Sequence, residues 1–312
     1  MLNQPVDEIL KASRRVLLAG AGGGYDVLGA VPLWVELSSA GKEVFFASLS
    51  FSSLNEIDGA IRSPDFPNLY EVTSDCATMD AYCPEGWLAC WLENRLGQRQ
   101  SIWSFERTGA RPLHQAYEHL VSRFNIDAIV LIDGGIDAIL RGDEFSIGTP
   151  EEDLTSLAAV NQMNVSTKIL ACVGLSAEIR DQINHAQVFE RMAKLARTGG
   201  YLGAAALVKG AESCRMYREA VDFVFAGQKR QRRSHVHSTI IKAINGRFGQ
   251  EGPFVWLSPL LNMYWFFSLD TVAREHLFLK SIVETETMDE VSSIIRENRY
   301  KLDIKEKEVI PI

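Results

Sequence analysis

Short apolar runs alternate along this chain with stretches whose apolar residues recur at helical spacing. A short helix over residues 5–13 leads into an apolar strand over 15–19. Over residues 26–40, Val27, Ala30, Val31, Trp34 and Leu37 recur every three or four positions, which predicts a helix. Gly41 stands where a helix commonly ends on a left-handed glycine. A strand over 43–49 follows, then a weaker pattern over 51–80, with a strand at 68–72 and loops marked by Asn55, Pro64 and Pro67. Next come a helix over 84–96 carrying Trp87, Leu88, Trp91 and Leu92, a strand over 102–105 and a helix over 111–124. The apolar run 127–132 suits a strand buried on both faces. Thr149-Pro150-Glu151-Glu152 reads as a capping box with proline at the first helical position, opening a helix with Leu154, Leu157, Ala158 and Met163 on one face. Beyond it lie a strand over 168–173, helices over 186–197 and 211–225, a Gly/Ala-rich run at 201–208, and helices over 234–245 and 288–298. The aromatic run Met263-Tyr264-Trp265-Phe266-Phe267 is read as core in preference to a stacking platform. Strands alternating with helices predict an α/β fold, doubly wound, with a largely parallel sheet and helices on both faces. We expect one domain over residues 1–312, its C-terminal third, 209–312, an elaboration packed on it.

Composition narrows the class without naming the chemistry. A chain of 312 residues, 46% hydrophobic and 23% charged, can build a full core without disulfides. Its net charge of −8 argues against nucleic acid as a partner. Cys76, Cys83, Cys90, Cys172 and Cys214 show no C-x-x-C spacing, so free thiols in a reducing compartment are expected in place of a disulfide framework or a zinc site. Residues 1–11 carry acids and no apolar core of secretory length, and no run approaches 18 apolar residues, so no membrane partner is expected and the location is read as cytoplasmic.

The stretch after the first strand changes that picture. Gly20, Gly22, Gly23 and Gly24 crowd into five positions, each costing roughly 0.5–1 kcal/mol of backbone freedom relative to alanine. Such a loop makes a tight strand-to-helix turn, or it presents bare N–H groups at a helix start to an anion such as phosphate. Gly20-x-Gly22-x-x-Tyr25 lacks the third glycine of the dinucleotide fingerprint, and the next strand ends in Ser48-Leu49-Ser50 without an acid, so a conventional NAD site is not expected. No P-loop is present either. Asp26 closes the loop, as a cap on the next helix or facing a sugar hydroxyl, a metal or a water.

A second loop of the same kind, Asp133-Gly134-Gly135-Ile136-Asp137, follows the buried run, with Asp143 and Glu144 soon after. If the two strands are neighbours, both loops line one crevice at the carboxyl ends of the strands. Acids gathered there would repel and take up protons unless a cation balanced them. Mg²⁺ or Ca²⁺ held by Asp133 and Asp137 is one solution, while Asp and Gly are also ordinary turn formers. On this reading Asp133, Asp137 and Asp26 are the catalytic candidates. Gly22, Gly23, Gly24, Gly134, Gly135, Asp143 and Glu144 are ligand-binding candidates. Asp153 is counted with Asp133, Asp137, Asp143 and Glu144 among the acids that could gather there, or is simply a solvated acid near a helix start.

The basic stretch Lys229-Arg230-Gln231-Arg232-Arg233 reads first as a solvated face, with Arg233 and Ser234 as ligand-binding candidates that could meet a phosphate. His235-x-His237 has no third ligand at useful spacing, which weighs against metal.

Together, Gly22-Gly23-Gly24-x-Asp26, Asp133-Gly134-Gly135-x-Asp137, Gly142-Asp143-Glu144, Thr149-Pro150-x-x-Asp153, Ser234, Ala243-x-x-Gly246 and Tyr264-Trp265-Phe266-Phe267-x-Leu269-Asp270 resemble a family of archaea and some bacteria catalogued as domain of unknown function 1152. The resemblance implies a Rossmann-like α/β fold and carries no settled activity. Many members have a Trp-Glu-Arg resemblance after strand two, where this chain has Phe51-Ser52-Ser53-Leu54. The expected function is hydrolysis of a phosphorylated or ribosyl small molecule of nucleotide type, with the anion on the first loop and water directed by the second. The alternative is a non-catalytic module that binds or senses a nucleotide-like ligand, and either form could assemble as a homo-oligomer.

Overall fold

The computed structural model describes residues 5–177, 182–253 and 255–310. In chain order the elements are α1 Pro5–Lys11, β1 Arg15–Gly20, α2 Ala30–Ser39, β2 Glu43–Leu49, β3 Ile61–Arg62, β4 Leu69–Val72, α3 Pro84–Leu96 and β5 Ile102–Phe105. Then come α4 Ala110–Phe124, β6 Ala128–Asp133, α5 Pro150–Asn161, β7 Thr167–Val173, α6 His185–Arg197, β8 Tyr201–Ala206, α7 Glu212–Gly227 and α8 His235–Ile244. The chain finishes with β9 Gly249–Gln250, β10 Trp256–Leu257, β11 Met263–Ser268, α9 Leu269–Glu275, α10 Leu279–Ile282 and α11 Met288–Lys301.

Nine strands form one sheet in the order β3-β4-β5-β2-β1-β6-β7-β11-β8. Its centre, β5-β2-β1-β6-β7, is parallel throughout. Both flanks are antiparallel: β4 pairs with β5 and β3, and β11 lies between β7 and β8. The central order is that of the doubly wound dinucleotide-binding sheets, and the chain reverses its direction of winding between β1 and β6.

The alternation within β1 explains the two helical layers. Val16 and Leu18 face a core completed by Leu10 of α1, Val31 of α2, Leu88 of α3 and Val224 of α7. Leu17 and Ala19 face the opposite core, with Leu113 of α4, Leu157 of α5 and Leu195 of α6. Full burial of each leucine contributes about 2–3 kcal/mol, so a one-residue slip of β1 would misplace both layers together.

Two local expectations are corrected and a third is extended. The helix expected from residue 26 opens as a 3-10 turn, Asp26–Gly29, before α2 begins at Ala30, and Asp26 does not cap it. Helix α5 starts at Pro150 as expected, but the Thr149 side chain accepts no capping bond. Glu152 turns instead to Arg107, with Nη2 2.5 Å from Oε1. Tyr264, Phe266 and Phe267 of the aromatic run are buried, as expected of core, yet the run does more than fill space: as β11 it carries the C-terminal third into the sheet. Among the described residues, no helix is long and apolar enough to cross a membrane.

Candidate functional site

Because β1 and β6 are adjacent and parallel, with Gly20 opposite Ile132, the loops that leave them emerge side by side. This is the switch point where open α/β sheets bind ligands. The Ala21 N–H donates to the Ile132 carbonyl at 2.8 Å, which carries the pairing one residue past the strand. The chain then turns through Gly23 and Gly24, both at positive φ, and returns on the 3-10 turn.

That return folds the Asp26 carboxylate back onto its own loop. Gly22 N–H donates to Asp26 Oδ2 at 2.8 Å, and the Gly134 backbone N–H also supports the carboxylate. A Cβ on Gly22 would lie 2.7–2.8 Å from carboxylate oxygens of both Asp153 and Asp26, and a Cβ on Gly134 would collide with Asp26 Oδ1. These two glycines are therefore needed because carboxylates occupy the space beside them. In this structure their donors serve Asp26, where the sequence suggested an external anion.

Asp133, the last residue of β6, and Asp153, in the first turns of α5, complete the cluster. One carboxylate oxygen from each of Asp26, Asp133 and Asp153 lies within 4.8 Å of the others. Asp133 accepts from Ala138 N–H at 3.3 Å and from the Cys172 thiol at the end of β7. Asp153 Oδ1 is buried without a hydrogen-bond partner. Asp153 is only 5% exposed, contrary to its expected solvation. One turn further along α5, Ser156 donates to the Ala21 carbonyl at 2.8 Å, so α5 presents Asp153 and Ser156 together to the glycine loop. Asp137, also buried, accepts from Thr149 N–H at 3.1 Å, tying the second loop to the start of the helix that carries Asp153.

The electrostatics follow from this crowding. Burial first, opposed by the Gly22 and Gly134 donors and reinforced by Asp137 and Glu152, pushes the Asp26 carboxyl up to about 7. Burial, then Asp137 and Asp26, holds Asp133 well above the ordinary carboxylate range. Burial, then Asp133, Asp137 and Asp26, does the same to Asp153. The charges that act most on these three groups are other carboxylates.

A rim surrounds the cluster. The Phe51 ring lies over Gly23, where a Cβ would come within 2.5 Å of it, and remains 49% exposed. The Arg107 guanidinium stands 5.5 Å from the Phe51 ring centre. On the other side, the Tyr25 hydroxyl donates to the Arg232 carbonyl at 3.2 Å, and Val236 packs beside Gly134 and Gly174. The basic run is thereby seated beside the crevice. Arg233 lies over the Phe225 ring at 5.6 Å, and Ser234 caps α8 by accepting from His237 N–H at 3.2 Å. His237 is a core residue. Tyr217 OH donates to its Nδ1 at 2.6 Å, its Nε2–H donates to the Tyr25 carbonyl at 2.9 Å, and burial pushes it down to about 4.

The structure does not bring every candidate together. Glu144 accepts from the N–H groups of Arg141 and Gly142, at 2.9 and 2.8 Å, and Asp143 pairs with Arg141 Nη1 at 3.3 Å. Both belong to a corner that binds the C-terminal segment through Arg299 and Lys305. Sequence reasoning missed Asp153, Ser156, Cys172 and Arg107. Thr149-Pro150-x-x-Asp153, one of the motifs behind the family resemblance, was the signal available for Asp153.

Residues 17–306 match the family model described as "Protein of unknown function (DUF1152)", so the chain belongs to that family. No curated protein and no solved structure matches the chain.

Proposed function

We propose that this family member hydrolyses a phosphorylated or ribosyl small molecule of nucleotide type in the crevice between the β1 and β6 loops. The observation that supports this most is the convergence of Asp26, Asp133 and Asp153 at the switch point of the sheet. Hydrolysis needs a water held in place for attack, and the oxygens that Asp26, Asp133 and Asp153 gather at one point meet that need. Asp26 and Asp133 direct the water. Asp137 is a positioning residue that fixes the start of α5. The substrate enters past Phe51 and Arg107 on one side and Arg233 and Ser234 on the other, where arginine suits a phosphate.

The reading is tested by incubating purified protein with ADP-ribose, nucleoside phosphates and ribose phosphates in Mg²⁺ and following products by chromatography. Turnover of at least one compound is expected, with Asp133→Asn reducing it by about 10²-fold or more while the circular dichroism spectrum is unchanged. Binding without product would replace hydrolysis by ligand sensing. Undiminished turnover in Asp133→Asn would remove the mechanism.

A further inference from the structure

We propose that Asp26, Asp133 and Asp153 form a binding site for one small, hard divalent cation of the Mg²⁺ class. The inference rests on reading this crevice as the functional site, and it holds whether or not hydrolysis takes place there. Clustered acids alone would not carry it, because protonation can quiet a group of buried carboxyls. Two further features point to a cation.

The first is Asp153 Oδ1. This oxygen belongs to a residue only 5% exposed, has no hydrogen-bond donor, and lies on a side chain turned toward Asp26 and Asp133. Leaving a buried acceptor unpaired costs about 1–3 kcal/mol, more when it is charged, so an oxygen in that position calls for a partner the chain does not supply. The second is the way the surrounding backbone is arranged. Gly22 and Gly134 lack the side chains that would strike the Asp26 and Asp153 oxygens, and the Gly22 donor orients Asp26 through Oδ2. Asp137, through Thr149 N–H, fixes the start of the helix that delivers Asp153. One guanidinium on this rim, Arg107, is engaged by Glu152 and by the Phe51 ring.

The donor set decides the class of ion. Three carboxylate oxygens with no imidazole among them suit Mg²⁺ or Mn²⁺, which keep several waters, better than zinc or copper. Calcium prefers six to eight oxygens in a looser shell, whereas this cluster is hemmed in by the glycine loops. A bound ion also explains how loops whose Gly22 and Gly134 donors are given to Asp26 could still receive a phosphate: the anion would meet the cation.

The test uses the full-length protein stripped of metal, with Mn²⁺ as the probe. Free Mn²⁺ is followed by electron paramagnetic resonance at pH 7.5, and melting is measured in parallel with EDTA or Mn²⁺. One Mn²⁺ per chain is expected, displaced by Mg²⁺, with at least tenfold weaker binding in Asp153→Asn and in Asp133→Asn. In EDTA, Asp153→Asn should melt above the wild type, because one of the crowded charges is gone. In Mn²⁺ the order should reverse. No binding by folded wild type at millimolar Mn²⁺, or undiminished binding in both variants, would overturn the site. Calcium binding more than a hundredfold tighter than Mg²⁺ would overturn the class. If Mn²⁺ binds as expected and no compound is turned over, the hydrolase reading fails and the ion site stands.

Discussion

Two acid-rich corners lie close together in the chain and differ in how their charge is met. At Glu144, backbone N–H groups of Arg141 and Gly142 converge on one carboxylate, and Arg299 clamps the same turn through the carbonyls of Gly142 and Glu144. At Asp26, Asp133 and Asp153, carboxylates chiefly face one another; each corner has one buried oxygen without a donor, Asp143 Oδ1 in the first and Asp153 Oδ1 in the second, but Asp143 is paired with Arg141 through its other oxygen. The first corner holds the fold together. The second accepts a cost in stability in order to hold those oxygens in place, which is the usual mark of a site with another duty. Counting acids along the sequence cannot separate the two; the whereabouts of the donors does.

The sharpest way to break this contrast is Glu144→Ala. It removes a carboxylate that accepts at least two backbone N–H groups, and charge-assisted bonds contribute about 1.5–3 kcal/mol each. A loss of about 3 kcal/mol in urea unfolding is expected, opposite in sign to the gain expected for Asp153→Asn in EDTA. A neutral Glu144→Ala would show that the two corners are energetically alike.

A smaller effect, about 2 kcal/mol of destabilisation, is expected for Gly22→Ala, where the new methyl meets the Asp26 and Asp153 oxygens. The same variant should lose the Mn²⁺-dependent rise in melting temperature. Retention of both stability and that rise would mean that the carboxylates can move aside, and that the glycine is only a turn residue.

The most gradual effect is in pH. The Asp26 carboxyl is raised from 3.8 to about 7 in the folded chain, so the folded form keeps a proton that the unfolded form gives up. That contribution to stability is complete below about pH 4 and is lost as the pH rises to about 7. His237 acts in the other direction. Lowered from 6.5 to about 4, it stabilises above its unfolded value and ceases to do so as the pH falls. Subtracting wild type from Asp26→Asn cancels the histidine. In EDTA, the urea midpoint of the variant should therefore gain on wild type from about pH 4 to about 7 and level off above. A flat difference across that window would place the Asp26 carboxyl with ordinary, uncrowded carboxylates.

Much of the architecture was legible because period and punctuation are local. Glu43–Leu49, Pro84–Leu96 and Ile102–Phe105 appear with the boundaries their patterns predict. The convergence of the two glycine loops was legible conditionally, since the rule for doubly wound sheets requires it once β1 and β6 are neighbours. Asp153 was hidden by α5 itself. That helix is buried nearly all round, so the apolar face of Leu154, Leu157 and Ala158 does not show which side meets the glycine loop, and an acid in its first turns looks like an ordinary response to the helix dipole. The capping box failed for a related reason: spacing marks where a helix begins, whereas the choice of Arg107 as partner for Glu152 depends on β5 ending nearby. The antiparallel insertion of β11 left no trace in composition, because an aromatic run buries equally well under a sheet or within it.

The 3-10 turn after the glycines has a consequence for how the molecule is made. Two of the backbone carbonyls at this turn are met from far along the chain: Tyr25 by His237, at a separation of 212 residues, and Gly29 by the Tyr264 hydroxyl, at 235. During synthesis the parallel strands emerge first, and partners so remote close slowly because the intervening loop must be ordered before they meet. Until Tyr264 has left the ribosome, the loop that shapes the acidic cluster lacks its last braces. A loop made early therefore waits for segments made 212 and 235 residues later, and the crevice is completed only after both have emerged.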